Sequence, residues 1–564
     1  MAKLLEKINN YISGGGKPKT YMLPTMKTSD ADLLSLFNEW FKESKKYHSE
    51  LEKVWKQNEK YYKGQQTELE RIPSDMSNAV QNHIFMGVET VIPIATANPP
   101  QFVAEPPEES DKSVEYATAL QTVLGIQYET TDIKTKGEMA MRHMMIYRFG
   151  CWKPFWDADR NDVNVKWVRP KRLYFPKVTT EFPYMMEQVD ITADEFREVF
   201  GEEAFKKFLE NAGQDIKEDE NLEDISGMWT IWEVWTKGMV YWKYSGKIIA
   251  KKANPYYDFE NKENNHFDFS RIPYIIFSAF RLGNAPIGET DLIQQTIPIQ
   301  DVINVSNRSI INNANKTGNA QWFIDSSVMS EEEANSKITN AAGIIIYGDG
   351  VANPNLVRRD APPPMPAYVA ELKMMAERAF DNIFGTHSTT RGERGAPETL
   401  GGRVMLKQAD LGRIDLLVRE YERCTAELGN WYTQLIKMFY VEKRTFRAYG
   451  ESGISFVEIM PEMIQKGVKV LVKSGTTMPT DEISERREAT ELWGMNALAP
   501  QTLYKKLKFA DPEQEAEKLA AWQKQKMILE GEAEAELEQR GVREQFSGAN
   551  EISEAKDRLS GKAK

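Results

Sequence analysis

RIPYIIFSAFRLGNAPIGETDLIQQTIPIQDVINVSNRSIINN, residues 271–313, changes its period halfway along. Its first ten residues, 271–280, are rich in β-branched and aromatic side chains, the composition of a strand. Gly283, Pro286 and Gly288 break that run. From Gly288 to Lys316 the pattern is helical, with Pro298 interrupting the helix or starting it afresh. Many polar positions of this helix are glutamine and asparagine. A strand thus hands over to an amide-rich helix, and the other elements are ordered around that junction.

On its N-terminal side, a Gly/Pro-rich leader precedes Ser29, which is placed to cap a helix from Asp30 to about Tyr62. Leu33, Phe37, Phe41, Leu51, Trp55 and Tyr62 recur at helical spacing, and Gly64 ends the run. A second helical stretch covers residues 77–97 and stops at Asn98-Pro99-Pro100. A third begins at Asp111 and, with a break, reaches Phe149. The period then changes. CWKPFW and VNVKWV, around DADRND, read as a strand hairpin, and TIWEVWTKGMVYWKYSGKIIAKKANP (230–255) reads as another, with Gly238 and Gly246 at turns. TADEFREVFGEEAFKKFLENAG, between them, is a short helical insertion.

On the C-terminal side come a strand (QWFID, 321–325), a helical turn capped by Ser330 and Glu333, and a strand (GIIIY, 343–347). Helix resumes from Ala367 to Phe384. The polar, glycine-punctuated loop GTHSTTRGERGAPETLGG follows at 385–402, then a long helix from about Gly402 to Tyr440. Short strands (FRAYG, VKVLVKSG) precede a helical C-terminal segment that ends in a Ser/Gly/Lys-rich frayed tail. The pattern predicts an α+β chain, mainly helical.

At 564 residues the chain is too long for one core. A net charge of −12 argues against tight, extensive nucleic-acid binding, whose affinity comes from lysine and arginine displacing counterions from phosphates. Two cysteines, Cys151 and Cys424, give no disulfide framework and fit a reducing compartment. The N-terminus lacks an apolar secretory region, and no apolar run reaches the roughly 20 residues that span a bilayer.

The sequence carries no enzyme signature. GGGK at 14–17 lacks the phosphate-loop spacing. DADRND has Asp162 where a calcium loop needs glycine, and Val168 where it needs glutamate. His48, His83, His143, His266 and His387 are scattered, without metal-ligand spacing. No catalytic residue, metal site or cofactor is expected. The loop at 385–402 reads either as an ordinary exposed connection or as a functional one, because connections of about 15 residues are uncommon in compact domains.

The order of elements, with several local phrases, resembles the portal proteins of tailed bacteriophages. VWKQNEKYYKGQQ (54–66) is similar to the end of that family's first long helix. SNAVQNHIFMGVETVIPIATANPPQFVAEPP (77–107) is similar to its asparagine-led helix with a proline stop. The most specific phrase is the Trp/Tyr hairpin followed by residues 254–313; GMNALAPQTLYKKLKFADPEQEAEKL (494–519) resembles the start of the crown.

The resemblance implies a ring-forming fold with wing, stem, clip and crown. It divides the chain into a flexible leader (1–28), wing (29–287), stem helix (288–318), clip (319–363) and second stem helix (364–384). A tunnel loop (385–402), long wing helix with strands (403–475), helical crown (476–545) and disordered tail (546–564) follow. It also implies a dodecamer at one capsid vertex of the virion, assembled in the host cytoplasm and passing double-stranded DNA. Its partners would be the terminase ATPase, major capsid and scaffolding proteins, and adaptor or tail proteins, with no membrane.

Under this reading His387, Arg391, Glu393, Arg394, Glu398 and Arg403 belong to the tunnel loop beside the DNA. Asn304, Asn307, Asn312, Asn315 and Lys316 line the channel, while Ile299, Val302, Val305 and Ile310 pack against neighbouring subunits. Trp322, Phe323, Ile324, Ile344, Ile345 and Ile346 form the clip surface, whose strands are expected to pair between subunits and meet terminase or adaptor. The competing readings are another head-tail connector or minor capsid protein without a packaging role, and a nucleotide-driven DNA enzyme.

Overall fold

A computed structural model describes residues 21–67, 77–178, 180–211, 227–318, 321–324, 330, 332–333, 336, 357–360, 365–386, 400–450, 453–475, 482–507, 509 and 512–539. The chain divides into two compact units: residues 1–442 with 460–478, and residues 443–459 with 479–564.

In the first unit, helix α1 spans Asp30–Tyr62, and Ser29 Oγ accepts from the Asp32 amide at 3.1 Å. Leu33, Phe37, Trp40, Leu51 and Trp55 form its buried stripe. Helix α2, His83–Ala95, starts later than its apolar pattern suggests, because Asn82 Oδ1 caps it on the Phe85 amide while residues 77–82 lie outside any helix or strand. Strand β1 (Phe102–Glu105) leads to α3 (Asp111–Thr130) and α4 (Ile133–Tyr147), which are separated at the left-handed Asp132 (φ 50°).

Strands β2 (Gly150–Asp157) and β3 (Asp162–Trp167) make the first expected hairpin. Strands β4 (Leu173–Tyr174) and β5 (Tyr184–Thr192) precede the helical insertion, which is two helices, α5 (Ala193–Phe200) and α6 (Glu202–Asn211). The second expected hairpin is three strands, β6 (Met228–Thr236), β7 (Met239–Tyr244) and β8 (Lys247–Ala253), closing a five-stranded sheet in the order β4-β5-β6-β7-β8. Within the predicted 271–280 strand only Ile275–Phe277, β9, pairs, and it does so with β2 in a sheet of order β3-β2-β9.

Helix α7, Leu292–Gly318, runs through Pro298 without interruption. Its start follows Asp291, whose carboxylate accepts from the Gln294 amide at 2.7 Å. Strands β10 (Gln321–Ile324) and β11 (Val357–Asp360) come next, then α8 (Ala367–Phe384) and the 40-residue α9 (Leu400–Phe439).

The second unit holds the hairpin of β12 (Arg444–Gly450) and β13 (Gly453–Ile459). Between these strands and the rest of that unit the chain returns to the first one, where β14 (Lys469–Val472) pairs antiparallel with β1. Helices α10 (Glu482–Gly494), α11 (Pro500–Lys506) and α12 (Pro512–Gln539) complete the second unit.

One buried cation ties the two larger sheets together. Lys153 on β2 donates to Glu187 on β5 and Glu233 on β6, each at 2.8 Å, and Tyr274 also donates to Glu187 at 2.7 Å. Burial alone would raise the Glu187 carboxyl, but Lys153 and Lys166 hold it down to about 2. A buried ion pair is costly to break from one side, because the remaining charge is left unpaired. Lys153→Met should therefore destabilise the protein by about 3–5 kcal/mol at neutral pH. The Glu187 contribution is complete above its ordinary value of 4.5 and is lost as pH falls towards about 2. The deficit of the variant should accordingly shrink on acidification, as measured by chemical denaturation across that window.

Candidate functional site

Helices α7 and α8 frame the site and run antiparallel. Lys373 Nζ donates to Asn307 Oδ1 at 3.1 Å. Further along, Glu377 accepts from Gln81 Nε2 at 3.2 Å, and the Gln81 carbonyl accepts from Gln300 at 2.7 Å. Between the two helices in the chain lies the β10–β11 hairpin, with Gln321 opposite Asp360 and Ile324 opposite Val357. Trp322, Phe323 and Ile324 thus occupy a strand that already has a partner on one edge within its own chain. That partner, Val357–Asp360, is too short and polar to show a strand period. Ile344, Ile345 and Ile346 lie outside the described residues.

The end of α8 is fixed by aromatic packing. Phe380 and Phe384 are buried and stacked, with centroids 4.8 Å apart. The Phe384 ring occupies space where a β-carbon on Gly87 of α2 would come within 2.7 Å. Gly385 then adopts φ 73°, a left-handed conformation suited to glycine, and its amide bonds the Asp381 carbonyl at 2.8 Å. The loop therefore departs from a rigid point. His387, Arg391, Glu393, Arg394 and Glu398 lie outside the described residues, and Arg403 falls in the first turn of α9.

The asparagines of α7 divide into two groups. Asn304 is 4 % exposed; its Oδ1 accepts from the Gln81 amide at 3.3 Å and from Gln300 at 3.1 Å, and its Nδ2 donates to Gln66. Asn307 and Asn312 are half-buried, with Asn307 accepting from Lys373 and Asn312 from the Ser77 amide at 2.8 Å. Only Asn315 of the four is exposed, and Lys316 lies in the last turn of the helix. Three of the four amides are therefore engaged inside the subunit. An amide that bonds a neighbouring backbone and one that coats a wet surface are the same letter in the sequence.

Alongside polar residues such as Asn315, Glu371 and Arg378, α7 and α8 expose apolar side chains. Val302 and Val305 on α7 are 37 % and 50 % accessible, while Ile299 and Ile310 are half-buried. On α8, Tyr368, Leu372 and Met375 are 66 %, 47 % and 66 % accessible. Their spacing of four and three residues makes one stripe along the helix. The sequence signal for it was the second apolar face of α8, which the buried Ala376–Phe380–Phe384 face does not account for.

The two cysteines and the described histidines are buried or half-buried. Cys151 and Cys424 are buried and unpaired, and burial pushes both thiols up, away from the nucleophilic thiolate. His143 and His266 are held down to about 4 by burial and stay neutral, and His48 lies stacked on Tyr174. Among the described residues no group of His, Cys, Asp or Glu is arranged to hold a metal, and no helix is long and apolar enough to cross a membrane.

A family model described as phage P22-like portal protein matches residues 259–554, more than half of the chain. No curated protein matches it.

Replacing Gly87 by alanine forces the Phe384 ring out of its seat. Overpacking of this kind should cost about 1–3 kcal/mol, read as a lower unfolding midpoint in denaturant.

Proposed function

The chain belongs to the phage P22-like portal protein family, and on that footing we propose that it forms a dodecameric ring at one capsid vertex, the channel for double-stranded DNA. Family membership makes it a structural, head-tail connector component of a bacteriophage particle. In the proposed ring α7 and α8 are the stem, the region 319–363 is the clip, and residues 385–402 form the tunnel loop. Residues 29–287 and 403–475 make up the wing and 476–545 the crown. Terminase docks on the clip during packaging and is replaced by adaptor or tail proteins afterwards.

The observation that carries this reading is the exposed apolar surface of α7 and α8. Val302, Val305, Tyr368, Leu372 and Met375 cover faces turned away from the subunit's own contacts. In a head-to-tail ring each copy presents this surface to a different surface of the next, and the contact closes on itself. Each such side chain buried contributes roughly 1.5–3 kcal/mol, repeated at every interface.

Charge supports a channel that guides without gripping. Each phosphate contact adds affinity and salt dependence, and a ring multiplies every contact. A subunit of net charge −12, with Arg391 and Arg394 balanced by Glu393 and Glu398 in the loop and Arg403 just beyond it in α9, keeps such contacts brief. Gly392 and Gly395 let the loop backbone adjust as DNA passes, whereas Gly385 closes α8 and Gly401 and Gly402 lie in α9.

Two measurements test the proposal. Native mass spectrometry should give a particle of about a dozen subunits, which Leu372→Glu with Met375→Glu should reduce to monomers and small oligomers; a monodisperse wild-type monomer at high concentration would refute it. Arg391→Glu with Arg394→Glu should leave ring mass unchanged and lower the DNA content of filled capsids. Unchanged packaging and retention would remove the loop from the DNA path.

A further inference from the structure

Residues 77–82, with His83 at the start of α2, run along α7 in the opposite direction, joined to it by a ladder of side-chain amides. The His83 amide donates to Gln300 Oε1 at 3.0 Å, and Gln300 Nε2 donates to the Gln81 carbonyl at 2.7 Å. The Gln81 amide donates to Asn304 Oδ1 at 3.3 Å, and the Ser77 amide donates to Asn312 Oδ1 at 2.8 Å. The two periods match. Twelve residues of helix, from 300 to 312, rise about 18 Å, and the six residues from 83 back to 77 can span at most about 20 Å. The backbone groups in the interior of α7 bond within their own helix, so each rung uses one of its side chains.

The same segment reaches the neighbouring elements. Gln81 Nε2 donates to Glu377 on α8, and Asn82 Nδ2 donates to the Tyr62 carbonyl at the end of α1. Asn82 also caps α2. Gln66, just past α1, donates to the Tyr61 carbonyl and accepts from Asn304. The segment is therefore one junction between the α7–α8 pair and α1 and α2, beside the direct Tyr61–Asp301 bond at 2.7 Å and the seat of Phe384 against Gly87.

We propose that residues 77–83 are a releasable strap that couples the α7–α8 pair to α1 and α2, opening from the Asn312 end. Gln300 and Asn304 are buried, whereas Asn312 is half-buried and next to water. A neutral amide bond exchanged for water at the wet end costs little, while stranding Gln300 or Asn304 costs much more. The ladder thus frays from Ser77 and holds at His83. The cores of α1 and α2, built on Trp55, Ile84 and Val88, stay closed. A closed strap makes the Asn312 end of the helix pair move with α1 and α2, and a frayed strap lets that end tilt about the contacts that stay fixed at Asp291 and Phe384. The consequence for a DNA channel rests on the portal reading; the strap itself does not.

Hydrogen exchange by mass spectrometry on the assembled full-length protein tests the ladder. Asn312→Leu should speed exchange at residues 77–80 about tenfold, the equilibrium worth of one such bond. Asn304→Leu should extend the effect to residues 81 and 82, with α2 and α7 still protected. Wild-type rates at 77–83 in both variants, or equal loss of protection throughout α2 and α7, overturn the proposal. For coupling, Ser77→Cys with Asn312→Cys is closed by a short bis-maleimide, to which the buried Cys151 and Cys424 are inaccessible. The closed form should fill capsids with DNA less well than the same variant left open, and equal filling refutes the coupling. If wild-type protein also fails to fill capsids, the portal reading falls and exchange alone decides the strap.

Discussion

From Ile414 to its end at Phe439, helix α9 is buried on most of its faces, and the first unit is assembled against it. A helix can be enclosed in this way because its interior backbone polar groups are satisfied within itself, so only side chains need external partners. Those partners come from every neighbouring layer. Tyr421 shares a hydrogen bond with Tyr128 of α3 at 2.8 Å, and Tyr432 one with Thr131 at 3.1 Å. Gln434 accepts from the backbone amides of His266 and Phe267 and donates to the Tyr256 carbonyl. Close approach depends on glycine at two points. A β-carbon on Gly137 would lie 2.6 Å from Tyr421, and one on Gly429 would lie 2.7 Å from Val470.

This central helix also sets where α7 begins. Glu420 accepts from the Ser278 amide at 2.8 Å and from Arg281 at 2.7 Å, holding the chain just after β9. Gly288 passes so close to the Ala279 carbonyl that a β-carbon would sit 2.3 Å from it. Asp291 then receives Arg148 and Asn58, fixing the first turn of α7 against α4 and α1. Burial at one point in the chain is thereby converted into the direction of a helix pair that exposes its apolar stripe elsewhere.

Features that depend on near neighbours in sequence were legible without coordinates. The Ser29 cap, the limits of α8 and the course of α9 follow from periodicity and from glycine or hydroxyl punctuation. Strands with distant or weakly patterned partners were not. Phe102–Glu105 pairs with Lys469–Val472 across more than three hundred residues, and Val357–Asp360 is too short and charged to carry a period. Tyr184–Thr192 lacks clean alternation because its first half is buried on both faces.

The sequence by itself determined a mainly helical α+β chain, its family resemblance and the absence of recognisable catalytic spacing. All three reside in residue type and local order. Tertiary structure alone decided the roles of the α7 amides. Gln300, Asn304 and Asn312 face a segment more than two hundred residues earlier in the chain, while Val302 and Val305, on the same helix, face outward. Helical spacing tells which residues share a face. What that face meets is set by packing between distant segments, and no local pattern records it.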